Sequence, residues 1–335
     1  MGSFDIPGSV ARAWLLQPNP SSNSNALVLR PWANGQDLSG RSSDTWIVDF
    51  GMDMCEVDAA LFESPFEHVR VEVKPMRDAQ SRESRKRHWW LHGETVPGLR
   101  RQLQSVATYI ATVRVAKHRL FVRLPQITWP DSRLYVFARE DDTTLGLMSS
   151  RIHEVWALAA ASKHGVGNDP TYNAKSCFET YPFPAGLTPA DTAHQRTETL
   201  DNGALIPADL TPDVRTQAEA IARAAHRLVT LRDAWLNPPE WTDRVPEVVP
   251  LGMSVSPYPD RILAKPGFEK DVAKRTLTNL YNQRPAWLAQ AHAALDLAVA
   301  AAYGWADYSA AMPDEEILRR LLALNLQRSA NPIRP

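Results

Sequence analysis

The sequence predicts an α+β fold in which a small mixed or antiparallel sheet with flanking helices is followed by an all-helical C-terminal domain. Between residues 109 and 139, apolar residues alternate with polar ones in three short runs, as they do in half-buried strands. From residue 213 onward they recur at helical spacing. Because 335 residues exceed what one hydrophobic core usually holds, two domains are expected.

The first ninety residues predict short elements. Residues 1–25 contain three prolines and a Ser/Asn run, so we expect an extended lead-in. Two strands are expected over 25–50 and a short helix over 53–62. The segment 65–91 is predicted to be helical with a kink at Pro75, because proline lacks an amide hydrogen and clashes with the preceding turn.

The central segment predicts the sheet. Strands are expected over Tyr109–Val115, Arg119–Leu124 and Arg133–Arg139, and a fourth over Thr144–Leu147. A helix over Ser149–Ala161 follows, with its apolar residues on one stripe.

The segment 162–176 has no apolar period and is rich in Gly, Asn, Asp and Pro, so it predicts a loop. Loops held by a rigid scaffold often carry recognition residues, although a flexible surface loop is the simpler interpretation. The aromatic run 178–184 ends the first domain, which we place at 26–186.

The chain then becomes Thr-, Asp- and Pro-rich over 187–212, which predicts a linker. Beyond it we expect a helical C-terminal domain over 213–331. Its predicted helices are Asp213–Leu236, Asp271–Asn282, Pro285–Tyr303 and Asp314–Arg328. This half is nearly neutral, so the sequence assigns it to packing and interdomain contact.

Charge is unevenly distributed although the net charge is only -1. Residues 70–133 contain fourteen Lys or Arg against five acids, a balance of +9, whereas the first 69 residues contain three bases and nine acids, a balance of -6. A basic centre of this kind favours nucleic acid over a membrane, and a solvated helix face is the alternative. The most basic predicted helix is 77–90.

The two cysteines, Cys55 and Cys177, are far apart and lack the spacing of a zinc site, so no disulfide framework and no metal site are expected. The sequence has no run of about 18 apolar residues and no export signal at its start. We therefore expect no membrane partner and a prokaryotic cytoplasmic location.

Several short motifs occur in a characteristic order. They are VLRPWANGQDL at 28–38, TWIVDFG at 45–51, the strand, helix and aromatic series within 109–184, LTNLYNQRPAWL at 277–288 and AYGW at 302–305. In this order they resemble the target-recognition region and C-terminal helical region of MmeI-like enzymes, in which restriction and adenine methylation are fused in one polypeptide. The resemblance covers nearly the whole chain.

This resemblance implies a restriction-modification enzyme whose DNA (adenine-N6) methyltransferase domain lies upstream in cis or is a separate subunit. S-adenosylmethionine would be the cofactor of the complete enzyme. The chain itself has no Gly-x-Gly strand-to-helix turn. Asn237-Pro238-Pro239 is followed by Glu240 rather than by the aromatic residue that would stack on a flipped adenine, so we interpret it as a helix stop. We thus expect no catalytic, cofactor or metal residue here, and no activity of the chain alone.

The first functional hypothesis is a module that recognises double-stranded DNA. A basic sheet face would clamp phosphates, with Lys117-His118-Arg119 at a turn, and the 162–176 loop would contact base edges. An ordinary charged hairpin is the alternative for that turn. The residues predicted to contact DNA are Arg85, Lys86, Arg87, Arg114, Lys117, His118, Arg119, Arg123, Lys163, His164, Asn168, Asn173 and Lys175.

Two other hypotheses come from different classes. A self-contained enzyme could use His153 and Glu154, but no second ligand or base follows one helical turn later, so a buried polar-network histidine is favoured. Trp89 and Trp90 could stack on bases, but core anchors are the favoured interpretation. The chain could also be a separate specificity or scaffold subunit that docks a methyltransferase in trans.

Overall fold

The computed structural model describes residues 2–164 and 169–330, and within them the α+β class is confirmed. The strands are β1 (Asp5–Pro7), β2 (Leu29–Ala33), β3 (Thr45–Val48), β4 (Thr108–Val113), β5 (Phe121–Pro125), β6 (Trp129–Pro130), β7 (Leu134–Phe137), β8 (Ser162–His164), β9 (Asp169–Thr171), β10 (Thr197–Thr199), β11 (Leu205–Pro207), β12 (Thr242–Val245) and β13 (Arg261–Ala264).

Helices cover more of the chain than strands do. They are α1 (Gly8–Leu15), α2 (Gly35–Ser39), α3 (Glu56–Ala59), α4 (Glu63–Glu72), α5 (Lys74–Asp78), α6 (Glu83–Arg87), α7 (Pro97–Leu103), α8 (Asp142–Ser149), α9 (Arg151–Ala160), α10 (Pro212–Leu236), α11 (Glu269–Lys274), α12 (Leu277–Gln283), α13 (Ala286–Ala302) and α14 (Asp314–Ala330). A 3₁₀ turn (Asn25–Leu27) and a π-helical turn (Ala174–Phe178) complete the described elements.

The N-terminal sheet has the order β1-β3-β2-β6, with β6 parallel to β2 and the other neighbours antiparallel. The expectation that residues 1–25 form an extended lead-in is therefore wrong, because β1 pairs with β3 and α1 packs on the sheet. Ile6, Ala11 and Leu15 are buried in the same apolar cluster as Trp46. The i,i+4 spacing of Ala11 and Leu15 carried this signal, which the prolines and the Ser/Asn run obscured.

The helical segment after this sheet breaks at Pro75 as predicted, since α4 ends at Glu72 and α5 has its proline in the first turn. The prediction of one basic helix over 77–90 is wrong. After α5 ends at Asp78, the only helix in this segment is the short α6. Trp89 and Trp90 are buried beside Phe66, which confirms the core interpretation of this pair.

The second sheet contains the three predicted strands in the order β5-β4-β7, with every pair antiparallel. Its middle strand β4 is buried on both faces. Ile110 packs into the cluster beneath α8 and α9, whereas Tyr109 and Ala111 pack into a cluster on the α2 and α7 side. The sheet therefore presents no cationic face along β4, and the expectation of a basic sheet face is wrong.

The predicted fourth strand over Thr144–Leu147 is wrong, since these residues lie within helix α8. Asp141 caps the helix by accepting a hydrogen bond from Thr144 N at 2.6 Å. The predicted helix over Ser149–Ala161 is confirmed as α9, which Ser150 caps.

The segment 162–176 is not a loop in its described parts. β8 and β9 pair antiparallel, with Ser162 opposite Thr171, and the π-helical turn follows. The glycines and prolines predicted a loop because the pairing that orders this hairpin is not visible in local composition. The part of the expected loop over 165–168 lies outside the described residues.

The C-terminal helices are confirmed, with the second of them, predicted over Asp271–Asn282, divided into α11 and α12. Two hairpins were not predicted, β10–β11 within 187–212 and β12–β13 after α10. The largest apolar cluster crosses the expected linker, because Leu147 and Ile152 pack with Ile221 and Leu295. Within the described residues, no helix is both long enough and apolar enough to span a membrane.

A buried carboxylate joins α13 to the start of α9. Asp296 accepts a hydrogen bond from Arg151 N at 2.7 Å and is 8% exposed. Burial raises the pKa of Asp296 to about 6. The folded state therefore binds this proton more tightly than the unfolded chain does.

We predict that this group's contribution to stability is fully present below about pH 4 and is lost as the pH rises through about 6. In Asp296→Asn the amide oxygen still accepts from Arg151 N but does not titrate. The free energy of unfolding of the wild type minus that of the variant should fall by on the order of 2 kcal/mol between those pH values. Urea titrations at a series of pH values measure this difference. Parallel stability profiles for the two proteins would contradict the assignment.

Candidate functional site

A cleft of about 460 Å³ lies where the β4–β5 turn meets α2 and α12. Its lining residues are Asn34, Gly35, Gln36, Ser39, Val113, Arg114, Val115, Ala116, Lys117, His118, Leu120, Arg133 and Thr278. None of these lining residues, all in the described part of the chain, is acidic. The side chains are mostly hydrogen-bond donors or cations, so the cleft suits an anionic ligand.

The β4–β5 turn brings three of the predicted site residues to this cleft. Arg114 and Lys117 are exposed and His118 is half-buried. Lys117 Nζ donates to Asn282 Oδ1 at 2.7 Å, and His118 Nε2 lies 2.9 Å from the same oxygen. One neutral side chain from α12 therefore orients two donors without neutralising the charge of the lysine.

Arg119, predicted to clamp phosphate from the same turn, is instead 9% exposed. Its guanidinium donates to Thr112 Oγ1 and Pro170 O, at 3.1 Å each, and to Val113 O. Burial lowers the pKa of Arg119. Arg119 is therefore not a surface cation, and the prediction that it clamps phosphate does not fit its position.

Arg123 is also engaged within the protein. Its Nη2 lies 2.8 Å from Oδ1 of Asp142, whose side chain is only 1% exposed. The other Asp142 oxygen accepts from Leu205 N at 2.8 Å and lies 3.5 Å from His226 Nδ1. This arginine compensates a buried carboxylate, so a role in clamping phosphate does not fit its geometry.

The hairpin β8–β9 lies directly beside the β4–β5 turn, which we call the basic turn because it carries Arg114 and Lys117. An isolated bridge pairs Val115 with Thr171, and Tyr172 N donates to Arg114 O at 2.8 Å. These bonds place the exposed cations of the turn directly beside the segment predicted to contact bases.

The remaining residues predicted in this segment have different positions. Lys163 and His164 belong to β8, and Asn168 lies outside the described residues. Asn173 and Lys175 are exposed, and Asn173 Oδ1 accepts from Lys175 N at 2.9 Å.

Arg85, Lys86 and Arg87 lie on α6, in the N-terminal part of the chain. Lys86 pairs with Glu83 at 2.9 Å, and Arg85 lines a separate cleft of about 580 Å³ near Trp90. These three residues do not line the cleft at the β4–β5 turn.

His153 is confirmed as a polar-network histidine. It is fully buried, with Nδ1 2.9 Å from Met148 O and Nε2 3.2 Å from the Tyr172 hydroxyl. Burial lowers its pKa to about 4. The Asn237-Pro238-Pro239 helix stop is confirmed as well, because α10 ends at Leu236 and Asn237 is its C-cap. Among the described residues, no group of three His, Cys, Asp or Glu side chains is placed to hold a metal ion.

The helical half also contributes to the cleft, which was not predicted from the sequence. Thr278 lines it and Asn282 holds its donors, one helical turn apart on α12. Thr278 also donates to Ser39 O at 3.2 Å, which joins α12 to α2. The i,i+4 spacing of two polar residues was visible in the sequence, but their partners, more than 150 positions away, were not.

No family model and no curated protein matches the chain. Among solved structures, the chain is similar to the Type IIL restriction-modification enzyme MmeI in a structure with DNA, with a TM-score of 0.58 and 14% sequence identity. The match covers 98% of this chain and 34% of that chain, so the chain spans about a third of the length of the protein it matches. At this identity the similarity shows a shared fold.

Proposed function

We propose that the chain is the DNA-recognition module of an MmeI-like restriction-modification enzyme, and that the turn between β4 and β5 contacts the phosphates of double-stranded DNA. The observation that carries the proposal is the backbone junction between this turn and the hairpin β8–β9. Phosphate contacts set the position of a protein on the duplex, and neighbouring groups then contact base edges.

The charges at the turn support this role. Arg114 and Lys117 are exposed and line a cleft without acidic lining residues in the described chain. Asn282, the side-chain partner of Lys117, is neutral, so an approaching phosphate meets uncompensated positive charge at this lysine. Release of counterions from the duplex then favours binding.

The fold supports the same proposal. The solved neighbour, MmeI, was determined in complex with DNA, and nearly all of this chain matches part of it. In the proposed enzyme a methyltransferase domain, in cis or as a separate subunit, supplies S-adenosylmethionine chemistry. The role of this chain is then to select the site at which that chemistry occurs.

Binding to a fluorescent DNA duplex, measured by anisotropy over a range of salt concentrations, tests the proposal. The affinity should fall as a power of the salt concentration, with an exponent of about 0.9 for each phosphate contacted. Single-stranded DNA of the same length should bind less tightly. Absence of binding at low salt would rule out the proposed function.

We also predict that the isolated chain neither binds S-adenosylmethionine nor methylates DNA. No glycine-rich cofactor turn is present in the sequence, and the Asn-Pro-Pro tripeptide ends a helix instead of leaving a buried strand. Calorimetric titration with S-adenosylmethionine should give no binding heat. Micromolar affinity, or methyl transfer to a duplex by the purified chain, would contradict this prediction.

A further inference from the structure

Arg119 joins three separate backbone segments. From its position just before β5 it donates to Val113 O at the end of β4 and to Pro170 O in β9, and it also donates to Thr112 Oγ1. Its guanidinium carbon lies 5.0 Å from the centre of the Tyr172 ring. It therefore contacts both the strand that leads into the basic turn and the hairpin beside that turn.

The chemistry of these contacts requires arginine. The hydrogen-bond acceptors recorded for Arg119 in the described chain are neutral oxygens, so the buried charge is stabilised by geometry and not by a carboxylate. A planar guanidinium can direct donors to several acceptors at once and stack on an aromatic ring, whereas a lysine ammonium is a compact point charge. The three contacts depend on the fork shape of the side chain.

The contacts of Arg119 are linked to the core through Tyr172. Tyr172, which is 1% exposed, lies with its hydroxyl 3.2 Å from His153 Nε2, and His153 is bound in turn to Met148 O. The strand β9 is thus connected through Tyr172 to helices α8 and α9. The same strand reaches the basic turn through the bridge between Thr171 and Val115.

We infer that Arg119 is a positioning residue, which holds the hairpin β8–β9 in one register against the basic turn so that base contacts form when the phosphates are bound. This inference rests on the proposed function and deepens it. Arg119 itself does not meet DNA, because it is buried. Its loss should affect the choice of sequence more than the affinity for DNA in general.

The experiment uses the full chain with a pool of duplexes whose centre is randomised, followed by selection and sequencing. The variants are Arg119→Lys and Arg119→Met, with Arg114→Ala as a control for loss of a phosphate contact. For each protein, the affinity for the unselected pool, its salt dependence and the enrichment of the selected sequence are measured. Amide exchange at Tyr172 reports on the hydrogen bond from Tyr172 N to Arg114 O, which joins the hairpin to the basic turn.

We expect both Arg119 variants to bind the unselected pool within about twofold of the wild type, with unchanged salt dependence. Enrichment of the wild-type sequence should fall about tenfold, because base contacts made from a displaced hairpin lose their discrimination. The amide of Tyr172 should exchange faster. Arg114→Ala should show the opposite pattern, with lower salt dependence and the same selected sequence.

The outcomes separate the two proposals. If the wild type binds no duplex, the proposed function fails. If the wild type selects a sequence and Arg119→Lys selects it equally well with normal exchange at Tyr172, only the positioning role is overturned. A salt dependence reduced by about one unit in Arg119→Met, which removes the charge, would make Arg119 a phosphate contact and overturn the positioning role. If Arg119→Met does not fold, Arg119→Lys and Tyr172→Phe decide the question by the same two measurements.

Discussion

Replacing Arg114 and Lys117 together by alanine is expected to lower duplex DNA affinity roughly fifty- to a hundredfold at 0.1 M salt. Each lost phosphate contact lowers the salt dependence by about 0.9, so two lost contacts should lower it by nearly 2. If both proteins bind equally at 1 M salt, this difference gives the stated loss at 0.1 M. Neither side chain is buried, so the fold should be unaffected.

Anisotropy titrations at several salt concentrations measure both quantities. The matched control removes two exposed cations from the helical half, Arg227 on α10 and Lys270 on α11, by alanine substitution. Its net charge change is the same as that of the Arg114 and Lys117 double variant. If the two double variants lose affinity and salt dependence equally, the interaction depends on net charge and the basic turn is not the contact site.

The second large effect is on stability. Arg123→Met should lower the free energy of unfolding by about 3 to 5 kcal/mol, because it leaves the carboxylate of Asp142 buried without its guanidinium partner. The salt dependence of DNA binding by the folded variant should stay unchanged, since Arg123 is not counted among the phosphate contacts.

Arg133→Met provides the matched control. Arg133 pairs with Asp131 at 2.7 Å, but its side chain is 70% exposed, and pairs of this kind contribute about 1 kcal/mol or less. Chemical denaturation of both variants measures the difference. If Arg123→Met costs no more than Arg133→Met, Asp142 does not depend on this ion pair. The double variant Arg123→Met/Asp142→Asn should recover part of the lost stability, because it removes the unpaired charge.

Local pattern was enough to predict the sheet β5-β4-β7 and the long C-terminal helices. Alternation of apolar residues is strong over 109–139, and Pro285 directly precedes the helix that it was expected to begin. Local composition did not predict the strands whose structure depends on pairing with distant parts of the chain. β1 pairs with β3, and the hairpin β8–β9 is joined to the β4–β5 turn by the bridge between Thr171 and Val115; in both cases the partner is distant in sequence.

The basic centre shows the limit of counting charges along a sequence. Arg100 belongs to it, yet it pairs with Asp49 at 2.8 Å, and Asp49 comes from the acidic N-terminal segment. Lys86 and Arg133 likewise pair with nearby acids, and Arg119 is buried. The number of exposed bases without an acidic partner is therefore smaller than the sequence count, and two of these bases, Arg114 and Lys117, lie at the β4–β5 turn.

Residue type and local spacing could not separate a surface cation from a buried one. Arg114, in the predicted strand Tyr109–Val115, and Arg119, in the predicted turn five positions later, were both expected to contact phosphate, yet Arg114 is exposed whereas Arg119 is enclosed by β4 and β9. The distinction depends on the hairpin β8–β9, whose position became visible only in three dimensions. Asn282 was missed for the same reason, because its two partners come from the other half of the chain.

The most direct test of the account is amide hydrogen exchange of the full chain with and without a saturating DNA duplex. We predict that protection concentrates in the peptides covering residues 113–118 and 169–176, because the basic turn and the adjoining segment would be covered by the duplex. Peptides from α10 and α14 should exchange at the same rate in both states. Protection confined to those helices, with none at the turn, would contradict the account.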